Sequence, residues 1–479
     1  MAVVLGVDSS TQSTKVEARD LATGQVVGAG SARHRVTNPP VSEQDPTSWW
    51  DALVSSCNQL GDVRNEVVAI SVAGQQHGCA VLDADGNSIR PAKLWNDTTS
   101  APQAAVLVAQ LGAAAWTEAT GSVPVASFTI TKLAWLAQNE PAALARIAKI
   151  MLPHDYLTWC LSGEHVTDRG DASGTGWYSP SQGTYQPQLI AAAVGSAGDG
   201  IDWLSCLPKV LGPTEAAGTI TSAAATALGL PQGVLVGPGS GDNMGAALGL
   251  GLGGGDIAMS LGTSGTVYAS SATPTADITG AVAGFADANG AYLPLVATLN
   301  ATKVTDAVAR WLGTDAPGLA ELAMQAPMTG GGPVLIPYFD GERTPNRPDA
   351  TGTFAGLTTS TTREQLALAA HDGVLCGLLG GLAALITAGA SASGQLNLIG
   401  GGSRSVAYRQ RTADLLGKPI MVPDTDETVA TGAAVQAVMA MGEATAGELA
   451  EAWDLGQGSL VEPASDAAGV REAYQAAIA

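Results

Sequence analysis

A carboxylate fixed between glycines and the start of a helix can take up a proton, and the sequence offers one near its middle. In Val234-Leu235-Val236-Gly237-Pro238-Gly239-Ser240-Gly241-Asp242-Asn243 the apolar run reads as a buried strand. Gly237, Pro238, Gly239 and Gly241 then turn the backbone tightly, and Met244 to Leu248 continue as a small-residue helix. Asp242 is thereby held at a strand-to-helix turn beside free backbone N–H groups, with nothing bulky in front of it. That suits a general base. It suits an N-cap equally well, since helix starts favour Asp for structural reasons alone.

A second carboxylate, Asp8, follows the short buried strand Ala2 to Val7. It opens the hydroxyl-rich stretch Ser9-Ser10-Thr11-Gln12-Ser13-Thr14, after which Lys15 to Arg19 alternates as a second strand and Thr23-Gly24 turns into a third. Strand, hydroxyl turn, strand wraps N–H and O–H donors around a phosphate. An Asp at the tip can hold Mg²⁺, directly or through water. Many hairpins carry Ser and Thr at the turn, so one instance decides little. The pattern recurs. Asp256 to Ser260 leads into Leu261-Gly262-Thr263-Ser264-Gly265, and Thr266 to Ser270 follows. Two such hairpins, each opening a long half-chain, point to a duplicated architecture with a nucleotide bridging its two halves.

Between the hairpins, Asp45-Pro46 starts a helix with Trp50, Leu53, Val54 and Cys57 on one face. The strand Val67 to Val72 ends in Gly74-Gln75-Gln76-His77-Gly78, where polar groups between glycines suit sugar hydroxyls. A single His, taken alone, is more often a satisfied core or turn residue. Lys93-Leu94-Trp95-Asn96-Asp97 offers an aromatic wall and a carboxylate. Helical patterns run from about Ala101 to Ile150, and Asp168 to Trp177 reads as a polar, Gly-rich loop. In the second half Val304, Val308, Trp311 and Leu312 mark an amphipathic helix stopped at Gly313. The loop Pro337 to Pro345 carries too many specific groups for a plain linker. Leu396 to Ile399 runs into Gly400-Gly401-Gly402-Ser403-Arg404, a turn that lets a base or ribose approach the backbone.

These parts need a large scaffold. The 479 residues, 46% hydrophobic and 14% charged, suffice for two cores. Acidic residues number 43 against 22 basic, a formal charge of −21, which argues against nucleic acid as the main partner. Cys57, Cys79, Cys160, Cys206 and Cys376 are odd in number and dispersed, which suggests reduced thiols in the cytoplasm. No signal peptide is apparent at the N-terminus. The uncharged run Gly373 to Ala390 is long enough to cross a membrane. It continues a helix expected to start at a capping box, Thr361 to Glu364, has many glycines and lacks flanking aromatic belts, so a buried core helix is expected instead.

Taken in order, the motifs resemble those of the FGGY carbohydrate kinases over nearly the whole chain. Ser127-x-Thr129-x-x-Lys132-Leu133-x-Trp135-Leu136-x-Gln138-Asn139 fits the first family signature at every defined position. Gly352-x-Phe354-x-Gly356-Leu357 through Gln365-Leu366 to Asp372 fits the second, except that His371 stands where an apolar residue is usual. Glu43 to Pro46 with Trp49-Trp50, Gly74 to Gly78, and Gly341-Glu342-Arg343-Thr344-Pro345 resemble the ketopentose-specific members.

The resemblance implies an α/β protein of two ribonuclease-H-like domains, of the actin and sugar-kinase ATPase type, flanking a deep cleft. The expected domains are 1–245, with the sugar site and first hairpin, and 246–479, with the nucleotide. It implies Mg²⁺-dependent transfer of phosphate from ATP to a ketopentose, D-xylulose before a ribulose-type ketose or polyol. By resemblance Asp242 is the general base and Asp8 the acidic residue needed for Mg²⁺-ATP. Gln76, His77, Trp95, Asp97 and Asn243 form the candidate sugar set. Thr11, Gln12, Ser13, Lys15, Gly262, Thr263, Ser264, Gly400, Gly401, Gly402 and Arg404 form the candidate nucleotide set. A soluble cytoplasmic enzyme, free or as a homodimer, with no nucleic-acid or membrane partner is expected. Two departures from the family pattern bear on the sugar and phosphate: Ser9-Ser10 replaces a pair containing Gly, and Thr99 stands where Arg is common. An actin-like ATPase module is the rival, which the hairpins fit but the Gly74 to Gly78 stretch does not.

Overall fold

Seven successive buried residues, Val3–Ser9, form the strand around which the first of two structural units is built. The computed structural model describes residues 1–328, 331–425 and 427–478. Unit 1 comprises Met1–Leu252, Pro274–Leu293 and Glu427–Leu455; unit 2 comprises Gly253–Thr273, Pro294–Asp426 and Gly456–Ala479.

In unit 1 the strand Val3–Ser9 pairs antiparallel with Ser13–Asp20, which pairs antiparallel with Val26–Arg33. On its other side it runs parallel to Val67–Gly74, which is parallel to Leu235–Val236, and Gly218–Thr219 closes that edge antiparallel. Unit 2 repeats the order. Ile257–Leu261 is central, antiparallel to Gly265–Ala269 and through it to Leu295–Thr298. Leu396–Ile399 and Ile420–Pro423 follow in parallel, and Gly458–Val461 closes the edge antiparallel. Two α/β units with one strand order are what a duplicated ribonuclease-H-like architecture requires.

The helices pack as their small residues allow. A Cβ on Gly432 would lie 1.8 Å from the Gly245 carbonyl oxygen, and one on Gly6 would lie 1.9 Å from that of Ala430. Only glycine there lets the helix Thr428–Met441 lie against both the central strand and the helix Asp242–Gly249. The apolar helix Arg363–Thr387 is a core helix of unit 2, with 72% of its most apolar stretch buried. Its capping box is Thr362 with Gln365, one residue later than the sequence expectation. His371, within it, behaves as an apolar residue. Burial pushes its pKa down to about 4, its Nδ1 lies 2.9 Å from the Ala367 carbonyl, and its ring packs edge-on to Tyr408.

Three sequence expectations shift. In the helix Pro46–Asn58 it is Trp49, not Trp50, that is fully buried, with Nε1 donating to Gln44 Oε1 at 2.8 Å. The helical run after Ala101 gives way to a strand at Lys149–Met151. Trp311, placed on an amphipathic face, is 62% exposed and stacks on Phe339.

The first signature has a physical role in this frame. Lys132 Nζ donates to the carbonyls of Ala126 and Ser127, at 2.7 and 2.9 Å, and burial pushes its pKa down to about 7. Trp135 offers its face to Lys93 Nζ at 3.9 Å and to Arg90 at 5.5 Å. Trp135→Ala is therefore expected to cost about 2–4 kcal/mol of stability. Melting should fall by several degrees while activity per folded molecule stays within about twofold. A stable variant with lost specific activity would refute a supporting role.

Candidate active site

Three strand ends set the site in unit 1. Ser9 pairs with Gly74, and Gly74 pairs with Gly241, all in parallel register. Asp8, the Gln76-His77 segment and Asp242 therefore leave the sheet side by side at its carboxyl edge, the place where open α/β sheets bind ligands.

Asp242 is the first helical residue, and the cap position belongs to Gly241, which has no side chain to cap with. Asp242 Oδ1 accepts only from its neighbour, from the Asn243 backbone N–H at 2.8 Å and from Asn243 Nδ2 at 3.0 Å. Asn243 is the second helical residue, but the N-cap position is Gly241 and carries no side-chain hydrogen bond, so Asp242 is not the N-cap the sequence left open. Burial first, then repulsion from Asp8 and Asp171, pushes its pKa up to about 7, against the pull of the Asn243 donors. A half-buried carboxylate poised near neutrality can accept a proton.

Asp8 sits lower in the strand than the sequence suggested. It is 6% exposed, at the end of the strand and not on an open turn. Burial raises its pKa to about 6, opposed by the Ser10 hydroxyl, which donates to Asp8 Oδ1, and by Lys15. Ser9 is buried, its hydroxyl 3.1 Å from that of Thr14, so the Ser9-Ser10 pair closes the hairpin and solvates Asp8. Thr11 Oγ1 accepts from Trp95 Nε1 at 2.9 Å, Gln12 is exposed, and Ser13 begins the second strand. Lys15 Nζ is bonded to both oxygens of Glu427, at 2.7 and 2.8 Å.

Gln76 accepts from Asn243 Nδ2 at 2.5 Å, and its own Nε2 is buried with no partner. His77 takes a left-handed backbone conformation, φ 62°, costly for a residue with a side chain. Several contacts enforce it. Asp171 Oδ1 accepts from the His77 backbone N–H at 3.0 Å and lies 2.7 Å from Nδ1. Thr129, a signature residue, donates to the His77 carbonyl at 3.1 Å, and the ring lies between Phe128 and Phe285. Nε2 makes no hydrogen bond to a described residue.

Asp97 is not brought to this group as an open carboxylate. It is 0% exposed, accepts from the backbone N–H groups of Ser42 and Thr99 and from the Thr99 hydroxyl, and pairs with Lys93 at 3.3 Å. Thr99, the departure noted in the sequence, is thus a partner of Asp97 and of Lys93 Nζ, which donates to it at 2.8 Å.

The remaining candidates lie in unit 2, again at carboxyl ends of adjacent parallel strands. Gly262, Thr263 and Ser264 form the hairpin turn, closed by Gly262 N–H to Ser264 carbonyl at 3.1 Å. Gly400 has φ 83°, and a Cβ there would lie 2.8 Å from the Leu261 carbonyl oxygen. Glycine thus lets the second turn sit against the first. Gly401 has open space around it, and Arg404 is exposed. Thr302 N–H donates to the Gly262 carbonyl, while Asn300 Nδ2 donates to Glu342 Oε2 at 2.9 Å. The Pro337 to Pro345 loop is braced there. The Arg343 guanidinium, held below its usual pKa by burial, bonds no described residue.

Residues 3–249 match the N-terminal domain, and 257–441 the C-terminal domain, of the FGGY family of carbohydrate kinases. The chain belongs to that family. Among its relatives, a xylulose kinase of Streptomyces coelicolor is 47% identical over 463 residues, covering 96% of this chain and 92% of the relative. One from Streptomyces rubiginosus is 46% identical over 461 residues, with the same coverage of each. The crystal structure of xylulose kinase from Bifidobacterium adolescentis superposes with a TM-score of 0.87 at 41% identity, over 100% of this chain and 99% of that one. The two-unit α/β fold is that of sugar kinases, and this family member is a phosphotransferase that acts on a sugar with ATP.

Sequence reading missed Asp171, which sits in the stretch read only as a polar, Gly-rich loop. Nothing local marks it, since its partner is 94 residues away. It also missed Glu427, 412 residues from Lys15.

Proposed function

We propose that this carbohydrate kinase transfers the γ-phosphoryl group of ATP to a hydroxyl of D-xylulose, giving D-xylulose 5-phosphate. The observation that carries the mechanism is Asp242, a carboxylate at a helix start that is not the cap residue and whose pKa burial pushes up to about 7. Asp242 takes the proton of the attacking sugar hydroxyl as the phosphoryl group arrives in line. A positioned base contributes roughly 10²–10⁴-fold, and orientation and charge stabilisation supply most of the remainder. Gln76 Nε2, buried without a partner among the described residues, and His77 Nε2, which bonds none of them, are the groups offered to the sugar, with Asn243 holding Gln76 and Asp242 in place. Asp97 serves as a loop anchor in this reading. In this reading the Gly262 to Ser264 and Gly400 to Gly402 turns of unit 2 bind the nucleotide, and the Thr11 to Ser13 turn of unit 1 is a phosphate-type turn. The ketopentose is supported by the names of relatives at 46 and 47% identity.

Asp8 fits Mg²⁺. It is a hard oxygen donor bonded to a hydroxyl and to no cation, and its charge repels that of Asp242. No group of three or more His, Cys, Asp or Glu is placed to cage a metal among the described residues. One carboxylate, water and substrate phosphates are the usual Mg²⁺ set. When bound, the ion would neutralise charge on the substrate phosphates, and Asp8 is the residue that would hold it.

An ADP-release assay over a panel of ketoses and polyols tests the substrate. D-xylulose should give the largest kcat/KM, and rapid turnover without sugar would defeat the reading. His77→Ala should raise KM for D-xylulose by roughly tenfold or more and leave that for ATP within about twofold, because a buried sugar hydroxyl would lose its partner. Equal changes in both constants would make the segment a purely structural one.

A further inference from the structure

The mechanism above leaves one buried charge cluster unused. His154, in the helix Pro153–Ser162, is 0% exposed. Its Nε2 lies 3.2 Å from Asp168 Oδ1, 3.3 Å from Asp155 Oδ1 and 3.6 Å from Asp171 Oδ2. His154 Nε2 is not aligned for a hydrogen bond with any of them, so its contact with the carboxylates is one of charge and proximity. No Lys or Arg ion-pairs with any of the three carboxylates among the described residues. Each carboxylate accepts at least one backbone N–H, and His154 is the side chain that lies against all three.

Thr167 bonds the Asp155 carboxyl, Tyr178 and Tyr185 face Asp168 and Asp155, and His77 meets Asp171, while glycine backbone covers His154 itself. Gly74 lies over the His154 Cβ, and Gly239, at φ 81°, lies over Nδ1. Asp242 reaches the cluster through its repulsion with Asp171. Burial draws His154 towards neutrality, but Asp155, then Asp168 and Asp171, outweigh it and push its pKa up to about 9.

Asp171 joins this cluster to the site. Its Oδ2 faces His154, while its Oδ1 holds His77 by the backbone N–H and by Nδ1. An ionised Asp171 keeps the His77 proton on Nδ1 and makes Nε2 an acceptor.

We infer that His154 is a positioning residue for sugar recognition: it holds the Asp171 side chain through Oδ2, and Asp171 Oδ1 in turn fixes His77 with Nε2 as a hydrogen-bond acceptor. The sugar group opposite His77 is then a hydroxyl, which can donate, and not the ketone carbonyl, which cannot. This rests on the reading that His77 binds the ketose.

Two measurements test it. Imidazole ¹⁵N shifts of the intact protein at neutral pH should show His154 protonated on both nitrogens and His77 neutral with its proton on Nδ1. A neutral His154, or a His77 protonated on Nε2 alone, overturns the inference without any variant. The second is a cycle of His154→Gln, His77→Ala and the double variant. His154→Gln should raise KM for D-xylulose about tenfold with KM for ATP within about twofold, and should add less than about twofold on the His77→Ala background. Equal effects on both backgrounds would mean that His154 does not act through His77, and would overturn it. If His77→Ala leaves KM for D-xylulose unchanged, the sugar-binding role of His77 fails instead, and the nitrogen shifts still decide the link from His154 to His77.

Discussion

Asp242→Asn is expected to lower kcat by roughly 10²-fold or more with D-xylulose binding largely retained. The substitution keeps shape and hydrogen-bonding capacity but removes the ability to take a proton. Because Gly241 and not Asp242 occupies the cap, the helix loses nothing. The fold gains. A carboxyl group whose pKa is about 7 in the folded protein, against 3.8 ordinarily, binds its proton more tightly when folded. Its ionisation therefore removes stability progressively as pH rises from about 4 to 7, and the full cost persists above that. Asn carries no such cost. The variant should melt higher than the parent at pH 8, and the difference should shrink towards pH 4. In the parent, kcat/KM should fall about tenfold per unit below pH 7, as the base becomes protonated. The variant should lack that limb. Steady-state kinetics, calorimetric sugar binding and melting curves on one preparation decide the matter, and near-normal kcat would leave the mechanism without its base.

Asp8→Ala should lower turnover by roughly 10²–10³-fold at saturating ATP, because the group that would hold Mg²⁺ at the phosphates is gone. Folding should survive. The carboxylate is raised to about 6 chiefly by burial and has one hydroxyl donor, so its removal takes away a charge the interior tolerates poorly. Asp8→Asn should show a weaker apparent Mg²⁺ affinity in the same assay, whereas a general effect on ATP would move KM for ATP at every Mg²⁺ concentration. Turnover of Asp8→Ala within about threefold of the parent, less than about 1 kcal/mol in barrier, would remove Asp8 from the mechanism.

Both variants touch features that were legible in the sequence, and the reason is that their signals are local. A buried strand, a glycine turn and a small-residue helix declare themselves within about fifteen residues, so Asp242 and Asp8 could be placed at strand ends without coordinates. The repeated hairpin at Leu261 to Gly265 announced the duplication for the same reason, and the common strand order of the two sheets accords with it. The family signatures gave the order of the parts. They did not say what each does. Thr129 bonds the His77 carbonyl, and Lys132 ties down two backbone carbonyls, roles that depend on where the chain returns.

Composition, turn chemistry and strand pattern thus determined an acidic two-part α/β protein with carboxylates at its strand ends, because each of these follows from neighbouring residues. Tertiary structure alone decided which polar groups remain available. Asp97 looked like a sugar ligand in the sequence and is spent on Ser42, Thr99 and Lys93. His77, a sugar candidate from the resemblance and a turn residue on its own pattern, is held in a strained backbone conformation by an aspartate 94 positions on. Unit 1 recruits Glu427–Leu455 from the far end of the chain, because glycines at 6, 245 and 432 leave room for a helix that no local pattern assigns to it. A buried carboxylate is set by its partners, and partners brought together by folding leave no mark on the sequence beside it.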